Sequence, residues 1–170
     1  MQKGARKRKP EAKPPLPAAL DAIDRRILDA LQRDNQLTNL ELARRVGLSP
    51  PPCLRRVRRL REAGIIARDV AIVDPTMVGR QIIAFVGVEL ERQRDDVLHT
   101  FEQKMAEAPE VQQCYFVSGD NDSLLVVTCA DMAAYDEFCR RVLASDHNIR
   151  RFRTSFNLSR VKYDTRIPLD

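Results

Sequence analysis

A chain of 170 residues with 44% hydrophobic and 31% charged side chains has room for one ordinary domain or two compact ones, and none of its apolar runs approaches the roughly 20 residues that span a bilayer. A membrane-spanning role is excluded; so is a secretory signal, because the basic N-terminus runs into Pro15, Leu16 and Pro17 instead of an apolar stretch, and the expected location is the cytosol. The net charge of +5 is unevenly spread: residues 1–17 hold six basic side chains against one acidic, residues 18–68 eleven against six, and residues 69–170 twelve against seventeen.

That asymmetry suits a polyanion-binding first part joined to a second part with another task. Residues 1–17 contain four prolines and almost no large apolar side chain, so they are read as a disordered basic arm. From Leu20 onward, Ile23, Ile27, Leu28 and Leu31 recur at helical spacing behind a capping Asp21. Thr38 and Glu41 form a capping box for a second helix, whose stripe is Leu42, Ala43 and Val46 and whose stop is Gly47. Ser49 is placed to cap a third helix that begins at Pro50, carries Leu54, Val57 and Leu60 inward and stops at Gly64.

Two capped helices around the Gly47-Leu48-Ser49 corner make a helix-turn-helix over about 39–58. Residues 65–73 read as a short strand pair or wing with Arg68 at its tip, and Asp74-Pro75 opens a hinge. Downstream come a strand over 82–90, a helix over 95–108, strands over 111–117 and 123–128, and a helix capped by Asp131. A long extended stretch over 151–163 completes them. That order is βαββαβ, so the expected fold is α+β: an N-terminal winged helix-turn-helix domain followed by a ferredoxin-like domain. The division is an arm over 1–17, a helix-turn-helix domain over 18–74, a linker over 75–80 and an αβ domain over 81–170.

On the third helix Arg55 and Arg59 point outward behind Pro51 and Pro52, flanked by Arg56 and Arg58, with only Glu62 as local compensation. The helix dipole adds to this field, so the helix suits a major groove of double-stranded DNA. The arginines can either specify bases or hold register on phosphates. Candidate DNA contacts are Thr38, Asn39, Ser49, Pro51, Pro52, Arg55, Arg56, Arg58, Arg59 and Arg68.

The loop Val117, Ser118, Gly119, Asp120, Asn121, Asp122 has two readings. It is either a plain hairpin turn, or a cradle in which Gly119 brings N–H groups to a carboxylate while Asp120 and Asp122 face an ammonium group. Catalysis has little support. His99 and His147 lie in no metal-ligand spacing, no nucleotide or hydrolase motif occurs, and Cys53, Cys114, Cys129 and Cys139 fall as reduced fillers inside apolar segments. No cofactor and no metal is expected.

The run 37–50, LTNLELARRVGLSP, continued by Pro52, Cys53, Leu54, Arg55, Arg56, Val57, Arg58, Arg59 and Leu60, resembles the helix-turn-helix of the Lrp/AsnC family of feast/famine transcriptional regulators. The loop 117–124, VSGDNDSL, resembles that family's ligand loop, and the similarity runs from about Leu20 to Arg166. Pro51 and Arg55 depart from the residues usual in the family, Thr or Ser and Glu. The resemblance implies a regulator whose assembly or DNA affinity responds to an amino acid bound at Val117, Ser118, Gly119, Asp120 and Asp122. Thr154, Ser155 and Phe156 of the last strand would be contributed across a subunit interface. It also implies dimers that associate into tetramers or octamers on the nucleoid in the cytoplasm. An effector-independent architectural DNA-binding protein is the alternative.

Overall fold

The computed structural model describes residues 20–92 and 94–169, so the arm read over 1–17 lies outside the described residues. The chain divides into two compact units, one running to Ala71 and taking back the residues from Tyr163, the other spanning Ile72–Lys162.

In the first unit α1 is Ala22–Arg33, α2 Asn39–Val46 and α3 Pro50–Glu62. The expected cap and the expected box both form: Asp21 accepts from the backbone of Ile23 and Asp24, and Thr38 and Glu41 cap each other's backbone N–H groups. Gly47 ends α2 at a φ of +73°, so that α3 can start after only two further residues. The three helices enclose Ile27, Leu28, Leu42, Ala43, Val46, Cys53, Val57 and Leu60, all buried.

Three expectations fail here. Ser49 makes no capping bond, because the donors it would reach belong to Pro51 and Pro52, which have no N–H. Leu54 is not inward: Cys53 takes its place in the core. Residues 65–73 form no strand, and Val70, Ile72 and Val73 stand exposed; β-branched residues favour extended backbone, but a strand needs a hydrogen-bonding neighbour. The tail meanwhile folds into this unit. Gln32 brackets Ile167, accepting from its N–H at 2.7 Å and donating to its carbonyl at 3.1 Å, and Leu169 joins the apolar cluster.

The second unit has β1 Ile82–Leu90, α4 Asp95–Glu107, β2 Val111–Phe116, β3 Ser123–Cys129, α5 Met132–Phe138 continued by a π turn, Cys139–Leu143, and β4 Ile149–Phe156. The sheet order is β2-β3-β1-β4 with every neighbouring pair antiparallel, the ferredoxin-like arrangement. Alternation sends Ala84, Val86, Val88, Leu125, Val127 and Cys129 to one face, where Phe101, Met105, Phe138, Val142 and Leu143 of the helices cover them. Phe85 and Tyr115 are exposed. β4 is shorter than the stretch expected over 151–163: Asn157 still donates to Ile83, but β1 begins at Ile82 and offers later residues no partner.

Candidate nucleic-acid interface and ligand loop

The outward surface of α3 is sorted by ion pairs that come from a different helix. Asp24, at 1% exposure, accepts from Arg56 at 2.8 Å and from Arg59, and Asp21 accepts from the same Arg56 nitrogen at 2.7 Å. Asp24 sits on the turn of α1 that also holds the capping box, which is how one carboxylate can close the helix start and clamp α3. The backbone N–H of Asp24, and then the Arg56 guanidinium, hold the Asp21 carboxyl below the usual carboxylate range.

Arg56 and Arg59 are therefore not free cations, contrary to the expectation that only Glu62 compensates the helix. Arg55 and Arg58 are exposed, with no carboxylate partner among the described residues. The first turn cannot hold a phosphate through its backbone, since Pro50, Pro51 and Pro52 supply no N–H and the Cys53 N–H bonds to the Ser49 carbonyl. Any anion bound there must meet side chains.

Thr38 and Asn39 lie beside α3, and both carry structural bonds. The Thr38 hydroxyl is within the capping box, and Asn39 donates through its side chain to the Pro50 carbonyl at 2.9 Å, pinning the start of α3 to α2. Arg68 is exposed on the segment 65–73, which forms no strand.

In the second unit the 117–122 loop leaves β2 and re-enters β3 through Gly119, whose φ of +118° is a conformation that side chains resist. Two turns of bonding hold it. The Val117 N–H reaches the Asp122 carbonyl at 3.0 Å, and the Asp122 N–H reaches the Val88 carbonyl at 2.9 Å. The Asp122 carboxylate accepts from the Leu90 N–H at 2.6 Å, so it is a clamp between loop and β1 and not an open acceptor.

The Asn121 side chain lies on Gly87, where a Cβ would come within 2.6 Å of it. Ser118 and Asp120 are exposed, and the Asp120 carboxylate makes no hydrogen bond or ion pair among the described residues. Thr154 and Phe156 face the helices instead: the Thr154 hydroxyl bonds the Tyr135 hydroxyl, and the Phe156 ring meets Tyr135 edge-on at 5.1 Å.

The loop and the Phe156 end of β4 meet β1 at different points along its length. The loop bonds to β1 at Val88 and Leu90, whereas Phe156 pairs with Ala84. The separation is about 13–20 Å at the rise of a strand.

Sequence reasoning missed Asp24, Leu54 and the Gly87–Asn121 contact. An aspartate at the third position of α1, beyond an aspartate that already caps it, was the available sign of the first. Burial raises the thiol pKa of Cys53, Cys114, Cys129 and Cys139, all four of which are free. Among the described residues no group of His, Cys, Asp and Glu is placed to hold a metal, and no helix is long and apolar enough to cross a membrane.

Residues 20–67 match a family model described as a winged helix-turn-helix DNA-binding domain, and residues 83–167 match the Lrp/AsnC ligand binding domain. The chain is similar to an uncharacterised HTH-type transcriptional regulator of Sinorhizobium fredii, 44% identical over 151 residues and covering 89% of each chain. It is also similar to a leucine-responsive regulatory protein of Rhizobium meliloti, 41% identical over 143 residues, covering 84% of this chain and 92% of that one. Among solved structures, a transcriptional regulator of Neisseria meningitidis in complex with L-methionine superposes with a TM-score of 0.85 at 38% identity, covering 89% of this chain and 98% of that one. With both halves matched in sequence and in fold, the chain belongs to the Lrp/AsnC family of transcriptional regulators, which pair a helix-turn-helix DNA-binding domain with a ligand-binding domain and are not enzymes.

Proposed function

We propose that the chain is a cytoplasmic, nucleoid-associated regulator that binds double-stranded DNA in a sequence-specific manner, and that an amino acid or related small metabolite shifts its assembly or its DNA affinity. Residues 18–74 read DNA, 75–80 link, and 81–170 bind the effector and self-associate as dimers that assemble into tetramers or octamers.

The observation that carries this reading is the contrast on α3, where Arg55 and Arg58 stay exposed, with no carboxylate partner among the described residues, beside two arginines that Asp24 holds in place. A helix so arranged presents two exposed cations to a groove, and the +5 charge of residues 18–68 draws it to a polyanion. Effector response is supported by the exposed Asp120 in a loop whose backbone is already pinned, and by the L-methionine bound to the Neisseria meningitidis relative.

Enrichment of random duplexes on the full-length protein, followed by gel shifts of the enriched sequence with and without each amino acid, tests both parts. One preferred sequence whose affinity or stoichiometry changes with at least one amino acid is expected. Recovery of unrelated sequences overturns specific reading. Enrichment of one sequence, with no amino acid altering either binding or melting temperature, overturns effector response, because a ligand that binds only the native state must raise its melting temperature.

A further inference from the structure

Leu54 sits in the apolar series of α3 yet belongs to no part of the core. The buried face is Cys53, Val57 and Leu60, whereas Leu54 is 38% exposed and lies outside the apolar cluster of its unit. At about 100° per residue, Leu54, Arg58, Pro51 and Arg55 fall within an arc of roughly 100° on the helix surface. Arg56 and Arg59 lie beyond the Arg55 side of that arc, where Asp24 ties them to α1. The outward arc thus carries a branched apolar side chain, an exposed proline ring and two cations with no carboxylate partner among the described residues.

We propose that Leu54 is a specificity-determining residue that reads the 5-methyl group of a thymine in the major groove, next to bases or phosphates contacted by Arg55 and Arg58. The inference rests on the sequence-specific DNA binding proposed above. The major groove offers a branched alkyl side chain one apolar feature, the thymine methyl, while guanine edges and phosphates suit the guanidinium groups. A protein partner covering the same arc would have to supply an apolar pocket and two carboxylates together; duplex DNA supplies the methyl and the negative charge as a matter of course. Three prolines remove the N–H donors of the first turn, so discrimination in this part of the helix falls to side chains.

The test removes the methyl and nothing else. Each thymine of the enriched half-site is replaced in turn by deoxyuridine, and binding of the full-length protein and of its Leu54→Ala variant is measured. At one position the wild-type protein should lose about fourfold in affinity, the worth of one buried methyl group, while Leu54→Ala binds the thymine and uracil duplexes alike. Wild-type indifference at every position overturns the inference, and so does a Leu54→Ala protein that keeps the wild-type sensitivity. Wild-type measurements alone decide it if the variant fails to fold. Enrichment of no sequence overturns the underlying reading of sequence-specific binding, an outcome distinguishable from the others because no half-site is then defined.

Discussion

Asp24 on α1 holds Arg59 on α3: a carboxylate at 1% exposure accepts from a guanidinium 35 residues away, and shares its other oxygen with Arg56. Replacing Asp24 by Ala leaves Arg59 without its carboxylate and Arg56 with Asp21 alone, and removes the return bond of the capping box, so that both losses act on the same unit. The variant should be destabilised by about 1–2 kcal/mol, read as a shift in denaturant midpoint. A midpoint within experimental error of wild type would show that the pairs contribute nothing to the fold.

Arginines on one helix should divide by mutation. Arg55→Ala and Arg58→Ala should each weaken binding to the preferred duplex by about 1–3 kcal/mol if they touch bases, or flatten its salt dependence if they touch phosphate, with melting unchanged. Arg56→Ala should instead lower the melting temperature, since it takes one of two guanidinium partners from the buried Asp24 and the guanidinium partner from Asp21. Equal melting of all three variants would remove the distinction drawn between reading and clamping side chains.

The two loop aspartates should also separate. Asp122→Ala leaves the Leu90 N–H unpaired and should destabilise the second unit by about 1–3 kcal/mol. Asp120→Ala should melt as wild type while calorimetric titration with the responsive amino acid shows no binding, and DNA binding should persist at its effector-free value. An Asp120→Ala protein with wild-type titration places the ligand elsewhere.

Gly87→Ala puts a Cβ 2.6–2.9 Å from the side-chain atoms of Asn121, so that side chain has to leave its place against β1. The single variant should lose stability and effector affinity together. Adding Asn121→Gly clears the space and should restore most of the stability, giving a coupling energy of opposite sign to the Gly87→Ala loss in a double-mutant cycle. Additive losses would show that Asn121 yields freely.

Acidification should weaken the α1–α3 clamp. Folding lowers the Asp21 pKa, so this group's contribution is complete above its ordinary value of 3.8 and disappears as pH falls through the lower folded value. Asp21→Asn removes that dependence, and the difference between the denaturation midpoints of wild type and variant should shrink as the pH is lowered below about 4. A constant difference down to pH 2 would show that Asp21 titrates alike in both states.

Local chemistry was enough for the helices and for the order of the strands. The Asp21 cap, the Thr38–Glu41 box, the left-handed Gly47 and the two-residue alternation along 82–90 and 123–129 all act within a few residues, so the helix-turn-helix and the βαββαβ order could be read from the chain. Ser49 was misread although its answer was also local: three successive prolines leave an N-cap nothing to bond. The remaining outcomes depended on distant partners. Whether Arg56 and Arg59 are free is decided by Asp24, 32 and 35 residues away, and whether 65–73 or 157–163 become strands is decided by neighbours that a sequence pattern cannot supply. Gln32 receives Ile167 across 135 residues, and Leu54 yields the core to Cys53 because three helices closing on one another choose which neighbouring side chain fits. Periodicity identifies an apolar series and a charged one, but only the packed helices determine which members of each remain at the surface.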